Sequence, residues 1–369
     1  MKKQRNWIMG AVLAAGILSA AAKQDRPNVV LIVCDDLNDY ITGIPGRTGH
    51  PQSLTPHVEK LAKSGVAFRR AYSNNPVCAP SRSSFLTGIY HHTSLNLFWD
   101  KWYENPILKN CKTIMEYFSD SGYQVAGTGK LMHHHWPASW SGGEYKNKTD
   151  YGPYWFNGEK RWSNPSVPEP FAGIGPIDGS YGPLGPVPEG QPAGAGWKNG
   201  WGREQLLDFT GKDRDLTPDE LNAKWAVEKI EQFDRQTGDQ PFFLGVGFVR
   251  PHTPLHVPQE YFDRFPLDKI DLPLIKDGDA EDTHYREVFT EEIKGLRYYR
   301  MLLESYDGDE EKAIRAFTQA YLACVAAVDE CIGQVVDALD QSGLKDNTVV
   351  VVTSDHGWNM GEKDYLFKN

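Results

Sequence analysis

The stretch Asn28-Val-Val-Leu-Ile-Val-Cys-Asp-Asp36 decides the fold class. Its apolar run from Val29 to Cys34 is unbroken and mostly β-branched, the pattern of a strand covered on both faces. Two adjacent carboxylates follow directly. Charges at the end of a buried strand are costly unless a cation or hydrogen bonds compensate them. Working outward, Tyr123–Gly127, Phe242–Val249 and Thr348–Thr353 read as strands of the same kind. Between them lie helical patterns. Thr55-Pro56 opens one, Thr217-Pro218-Asp219-Glu220 opens another running to about Phe233, and a long one spans Glu311 to about Leu339, ended near Gly343. Strands alternating with helices predict an α/β fold, a mostly parallel central sheet with helices on both faces.

In an open α/β sheet, ligands bind beyond the carboxyl ends of the strands. The first predicted strand delivers Asp35-Asp36 there. The second delivers Gly127-Thr-Gly-Lys130, with His133 three residues on; the third Arg250-Pro-His252; the fourth Ser354-Asp-His-Gly357. Any one of these groups alone would serve as a cap or a satisfied turn. Four strands delivering such groups to one edge predict a site, and three aspartates with a histidine suit a hard divalent metal.

The remaining candidate is Pro76-Val-Cys78-Ala-Pro80-Ser81-Arg82. Pro80 near the start of a short helical pattern puts Cys78 at or just before a helix N-terminus, where free N–H groups and the dipole favour an anion. Two readings are open at this level: a small buried cysteine, or a thiolate whose pKa is lowered by the helix and Arg82.

The 369 residues carry 39 Lys+Arg against 49 Asp+Glu, a net charge of −10, which disfavours a dedicated nucleic-acid binder. With 40% hydrophobic and 24% charged residues the composition excludes intrinsic disorder. Five cysteines are too few for a disulfide scaffold, and the odd count leaves at least one unpaired. Cys324 and Cys331 are seven apart on one predicted helix, ~10 Å, too far for a disulfide. Cys34 lies in a buried strand. His91-His92 and His133-His134-His135 lack the ligand spacing of a zinc site.

Lys2, Lys3 and Arg5, an apolar run from Trp7 to Leu18 and Ala20-Ala21-Ala22 form a signal-peptide pattern over residues 1–22. The run falls short of the ~20 apolar residues of a membrane span. The expected mature chain, residues 23–369, is one catalytic α/β domain, secreted or periplasmic and without a membrane span. Within it, residues 136–201 are rich in Gly, Pro, Trp and Tyr with little periodicity. Such a region is expected to be a functional loop or lid whose aromatics either stack on sugar rings or pack the loop down.

Together the motifs resemble the sulfatase family, of the alkaline phosphatase superfamily, and within it the branch of iduronate-2-sulfatase and its bacterial relatives. The C-x-P-S-R segment stands as Cys78-Ala79-Pro80-Ser81-Arg82. Asp35-Asp36, Gly129-Lys130-Leu-Met-His133, Arg250-Pro-His252, Ser354-Asp-His-Gly-Trp358 and Gly361–Lys368 follow in the family's order. The resemblance implies further sheet strands and a smaller C-terminal subdomain beyond Asn369.

It also implies a mechanism. Cys78 would be oxidised by a formylglycine-generating maturation enzyme to an aldehyde that hydrates to a gem-diol. One hydroxyl attacks sulfur and expels the alcohol; the other loses its proton and expels sulfate. Asp35, Asp36, Asp355, His356 and the residue at Cys78 would hold calcium. Arg82 would orient the diol, and Lys130 and Lys368 neutralise sulfate. His133 would take the diol proton, and His252 protonate the leaving alcohol. The implied substrate is a sulfated carbohydrate, such as a 2-sulfated uronate in a glycosaminoglycan or algal polysaccharide. The alternatives are a phosphomonoester or phosphonate hydrolase of the same superfamily, and an inactive carbohydrate-binding fragment.

Overall fold

The computed structural model describes residues 26–42, 49–146, 149–200, 205–236, 240–288 and 292–368; the expected signal segment, residues 1–22, lies outside them. In chain order the main elements are β1 (Asn28–Asp35), α1 (Pro56–Ser64), α2 (Cys78–Thr87), α3 (Ile114–Asp120), β2 (Gln124–Gly129) and β3 (Glu144–Tyr145). They continue with α4 (Pro218–Asp234), β4 (Phe242–Pro251), α5 (Lys294–Glu304), α6 (Glu310–Asp340) and β5 (Thr348–Ser354). The five strands form one sheet in the order β5-β1-β4-β2-β3, every pairing parallel. The four strands expected from the sequence are all present, with β1, β4 and β2 at its centre. By contrast β5 is an edge strand whose Val349 and Val351 are exposed, so its apolar run is not covered on both faces as expected. The edge strand β3 comes from two residues that carry no strand pattern of their own.

Alternation along the strands sorts their side chains between two layers. Val30, Ile32 and Cys34 of β1 and Phe242, Leu244, Val246 and Phe248 of β4 pack with α4 and α6, through Ala226, Ile230, Val328, Ile332 and Val335. Val33 and Phe243 face the opposite layer with Leu86 of α2 and Met115 of α3. Among the described residues all five cysteines are free.

Helix starts are satisfied in two ways. At α4 the expected signature works locally: Thr217 and Glu220 form a reciprocal capping box. At α1 it does not, because the Thr55 hydroxyl accepts from the Thr42 N–H at 2.7 Å instead. The exposed amides of α1 are taken by the Asp329 carboxylate of α6, which accepts from His57 N at 3.0 Å and Val58 N at 2.9 Å.

The region 136–201 is more ordered than its composition suggested. Tyr154–Phe156 pairs antiparallel with Arg161–Trp162 and Gly196–Lys198, and Tyr181–Leu184 pairs parallel with Leu255–Pro258. Trp140, Trp155 and Trp197 are buried. Most of these aromatics pack the region down.

Two glycines let the turn after β2 lie against β4. Gly129 has φ +73°, and a Cβ there would sit 1.9 Å from the Gly247 carbonyl oxygen; a Cβ on Gly247 would sit 2.1 Å from the Lys130 carbonyl carbon. Both obstacles are backbone, so neither can swing aside. Gly247→Ala is expected to destabilise by about 3 kcal/mol, the upper end of overpacking costs. Urea unfolding checks this; a loss within ~0.5 kcal/mol, the range of a neutral surface change, would refute the close approach.

Candidate active site

Helix α2 begins at Cys78 itself, at the expected place. Its first turn is buried beneath the strand ends, with the Ser81 hydroxyl donating to the Asp355 carbonyl at 2.6 Å. Lys368 Nζ lies 3.0 Å from Cys78 Sγ, and His356 Nε2 lies 3.2 Å from it on another side. Lys368 also donates to both oxygens of Asp36, at 3.0 and 3.1 Å. Asp36 has φ 62°, and its carbonyl accepts from Tyr321 of α6 at 2.7 Å. This turns the second of the paired carboxylates into the site.

Arg82 lies one helical turn on from Cys78. Its Nε donates to Asp355 Oδ2 and its Nη2 to Asp35 Oδ1, both at 2.9 Å. Its Nη1 donates to the carbonyls of Lys130 and Leu131. With its donors so placed, Arg82 ties β1, β5 and the turn after β2 together. In this way the guanidinium fixes the carboxylates around Cys78. Asp355 Oδ1 accepts the N–H groups of Asp36 at 3.1 Å and His356 at 3.0 Å. Lys130 pairs with Asp35 Oδ2. Three carboxylates thus face three fixed cations, all buried.

The titrations follow from this enclosure. Burial works against charge on Asp35, but Lys130 and Arg82 outweigh it and hold its carboxyl well below the usual range. Asp36 is pushed up to about 8 by burial, which Lys368 and His356 only partly offset. Burial disfavours the His356 cation too, yet Asp355, Asp36 and Cys78 raise it to about 9. Burial, followed by the Lys130 charge, pushes His133 down to about 3. Burial and then Lys368 hold His252 well below the ordinary histidine value.

Of the sequence-predicted residues, Asp35, Asp36, Cys78, Arg82, Lys130, His252, Asp355, His356 and Lys368 converge. His252 Nε2 faces the site, 3.7 Å from Asp36 Oδ2 and 4.0 Å from Asp35 Oδ2. His133 lies at the margin, its ring centroid 5.0 Å from that of the half-exposed Trp99, and its buried Nδ1 has no hydrogen-bond partner among the described residues. Sequence reasoning missed Tyr151, whose ring lies 4.9 Å from that of His252 and 4.7 Å from Lys130 Nζ. Its only signal was membership of the aromatic region.

The donor set fits a hard divalent cation. Asp35, Cys78, Asp355 and His356 offer ligand atoms within 4.8 Å of one another, and so do Asp35, Asp36, Cys78 and His252. Two overlapping clusters rich in carboxylate oxygen are the chemistry such an ion takes.

A parallel sheet with its polar and charged groups gathered at one edge defines an α/β protein with a site at the strand ends. The family model described as Sulfatase matches residues 27–369, and the chain belongs to that family. It is 34% identical to a sulfatase of Formosa agariphila over 94% of this chain and 61% of that protein. It is 29% identical to the iduronate 2-sulfatase of Homo sapiens, covering 93% of this chain and 57% of that one. The phosphonate monoester hydrolase of Silicibacter pomeroyi shares the fold with a TM-score of 0.61 at 21% identity, over 92% of this chain and 64% of that one. The chain therefore spans about three fifths of the curated relatives it matches. Among the described residues no helix is long and apolar enough to cross a membrane.

Proposed function

We propose that the chain is the catalytic part of a sulfuric ester hydrolase acting on a sulfated sugar. The observation that carries this reading is the seat of Cys78: a buried sulfur at a helix start, flanked by Lys368 and His356 and ringed by Asp35, Asp36 and Asp355. Converted to formylglycine and hydrated, the residue at position 78 would supply a geminal diol as nucleophile, with one hydroxyl left to release the product. Calcium held by Asp35, Asp36, Asp355, His356 and position 78 would supply Lewis-acid polarisation of the ester.

The chain's own groups divide the rest of the work. Lys130 and Lys368 neutralise the sulfate oxygens, each fixed beforehand by its aspartate. Arg82 keeps Asp35 and Asp355 in place. His133 would take the diol proton, its buried Nδ1 having no hydrogen-bond partner among the described residues. His252 presents Nε2 to the leaving oxygen, because its Nδ1 is bound to the Thr253 carbonyl at 2.5 Å. A sugar sulfate is favoured as substrate by the motif spacing and by relatives whose names include iduronate 2-sulfatase. A maturation enzyme acting on Cys78 and export to the periplasm or beyond belong to the same reading, supported by the C-x-P-S-R segment and the signal pattern over 1–22.

The test uses the full-length protein. Mass spectrometry of the Cys78 peptide should find the lower mass of formylglycine, and aryl sulfate should be hydrolysed faster than aryl phosphate or a phosphonate monoester. Faster cleavage of a phosphorus ester would transfer the site to phosphate chemistry. Failure to cleave any ester would leave a binding protein.

Asp355→Asn tests the metal. It keeps the shape but removes one of the charges that would hold the ion and compensate Arg82. Calcium affinity, titrated calorimetrically into chelator-treated protein, should fall by ~10–100-fold. Activity of the unsubstituted protein should vanish on chelation and return with calcium. An unchanged affinity in the variant would refute the assignment.

A further inference from the structure

Tyr151 stands in an irregular segment that hydrogen bonds to its backbone pin from two sides. The Asp150 carboxylate accepts the N–H groups of Gly152 at 2.9 Å and Gly200 at 2.8 Å. The buried Arg250 guanidinium donates through Nη2 to the carbonyls of Tyr151 at 3.2 Å and Gly152 at 2.9 Å. Its Nη1 donates to the His252 carbonyl at 3.1 Å, and its Nε to the His256 carbonyl at 3.0 Å. One side chain therefore ties the segment of Tyr151 to the turn of His252. The ring's place beside the site follows from these bonds.

That ring lies 4.9 Å from the His252 ring and 4.7 Å from Lys130 Nζ. Lys130 and His252 are buried, whereas Tyr151 keeps part of its surface open. Burial raises the phenol above its ordinary value, and the next influences on its hydroxyl are the charges of Lys130, Asp35 and Cys78. The hydroxyl end of the ring thus faces the groups around Cys78. An ammonium has three donors and no acceptor, so the phenol oxygen turns lone pairs toward Lys130. Its single hydrogen is left pointing elsewhere, and it has no acceptor among the described residues.

An open donor beside a fixed cation suits an oxygen of an anion. A sulfate ester presents three unbridged oxygens, with more lone pairs than two ammonium groups can meet. The ammonium also polarises the phenol, which strengthens the hydrogen bond its O–H can give. We propose that Tyr151 is a substrate-contacting residue whose hydroxyl donates to a sulfate oxygen alongside Lys130. The identity of the anion rests on the sulfatase reading above, whereas the donor is placed by Asp150 and Arg250.

Tyr151→Phe removes the oxygen and keeps the ring against His252 and Lys130, so the variant should melt with the unsubstituted protein. Inorganic sulfate, titrated calorimetrically into the full-length protein, should bind the variant ~10–100-fold more weakly, the effect of losing a hydrogen bond to a charged group. The value of kcat/KM should fall by a similar factor on a sugar sulfate and on nitrophenyl sulfate, because both present the same oxygens.

An unchanged sulfate affinity would overturn the proposal and leave the sulfatase reading intact. A loss confined to the sugar sulfate would overturn it as well, since the hydroxyl would then meet the sugar. A lowered melt would mean a structural role and would count against it equally. Should no version of the protein cleave a sulfate ester while Tyr151→Phe still weakens sulfate binding, the sulfatase reading falls and the anion contact stands.

Discussion

Cys78→Ala should reduce turnover of any sulfate ester to background in a protein that still folds. The substitution deletes one buried atom at the first residue of α2, and the small cavity costs ~1 kcal/mol. Its neighbours keep other partners: Lys368 retains both oxygens of Asp36, and His356 remains 3.5 Å from Asp355 Oδ2. The charges are therefore not stranded. Catalysis loses its nucleophile outright, a loss of ~10⁶-fold where a covalent hydrolase is stripped of one. Steady-state rates beside a thermal melt separate the two effects. Turnover like that of the unsubstituted protein would end the assignment. Cys78→Ser should fail as well, unless the producing host matures serine to the same aldehyde.

His252→Ala should produce the second largest effect, and one that depends on substrate. A sugar alkoxide leaves poorly unless protonated, whereas a nitrophenolate leaves unaided. The loss of kcat/KM on a sugar sulfate should therefore be ~10²–10⁴-fold, with a much smaller loss on nitrophenyl sulfate. Lys130→Ala is the control. Its ammonium would contact the sulfate common to both substrates, so both should suffer alike. Equal losses on the two substrates for His252→Ala would make that imidazole a sulfate or sugar ligand instead of the acid.

Much of this site was legible because its residues sit where regular structure ends. Asp35, Lys130, His252 and Asp355 each follow an apolar run whose length and β-branching mark a strand, and parallel strands put those ends on one edge. Cys78 and Arg82 were legible through Pro80 and the spacing of one helical turn. What escaped has no periodic signal. Tyr151 reaches His252 and Lys130 from an irregular segment. Strand β3 is too short to show alternation. The spacing placed Arg82 one helical turn from Cys78, but where its donors go could be read only from the positions of Asp35, Asp355 and the Lys130 and Leu131 carbonyls.

The start of α1 has a meaning for the order in which the chain can be assembled. Its amides are met by a carboxylate 272 residues further along, and a nine-residue helix has little persistence of its own in water. During synthesis from the N-terminus, α1 leaves the ribosome long before Asp329 exists, and at translation speeds of ~5–20 residues per second the wait is roughly tens of seconds. Through that interval its first turn is hydrated and its apolar side has no α6 to rest on. The N-terminal strand and the helix beside it are thus made first but can be completed only after most of the chain has followed.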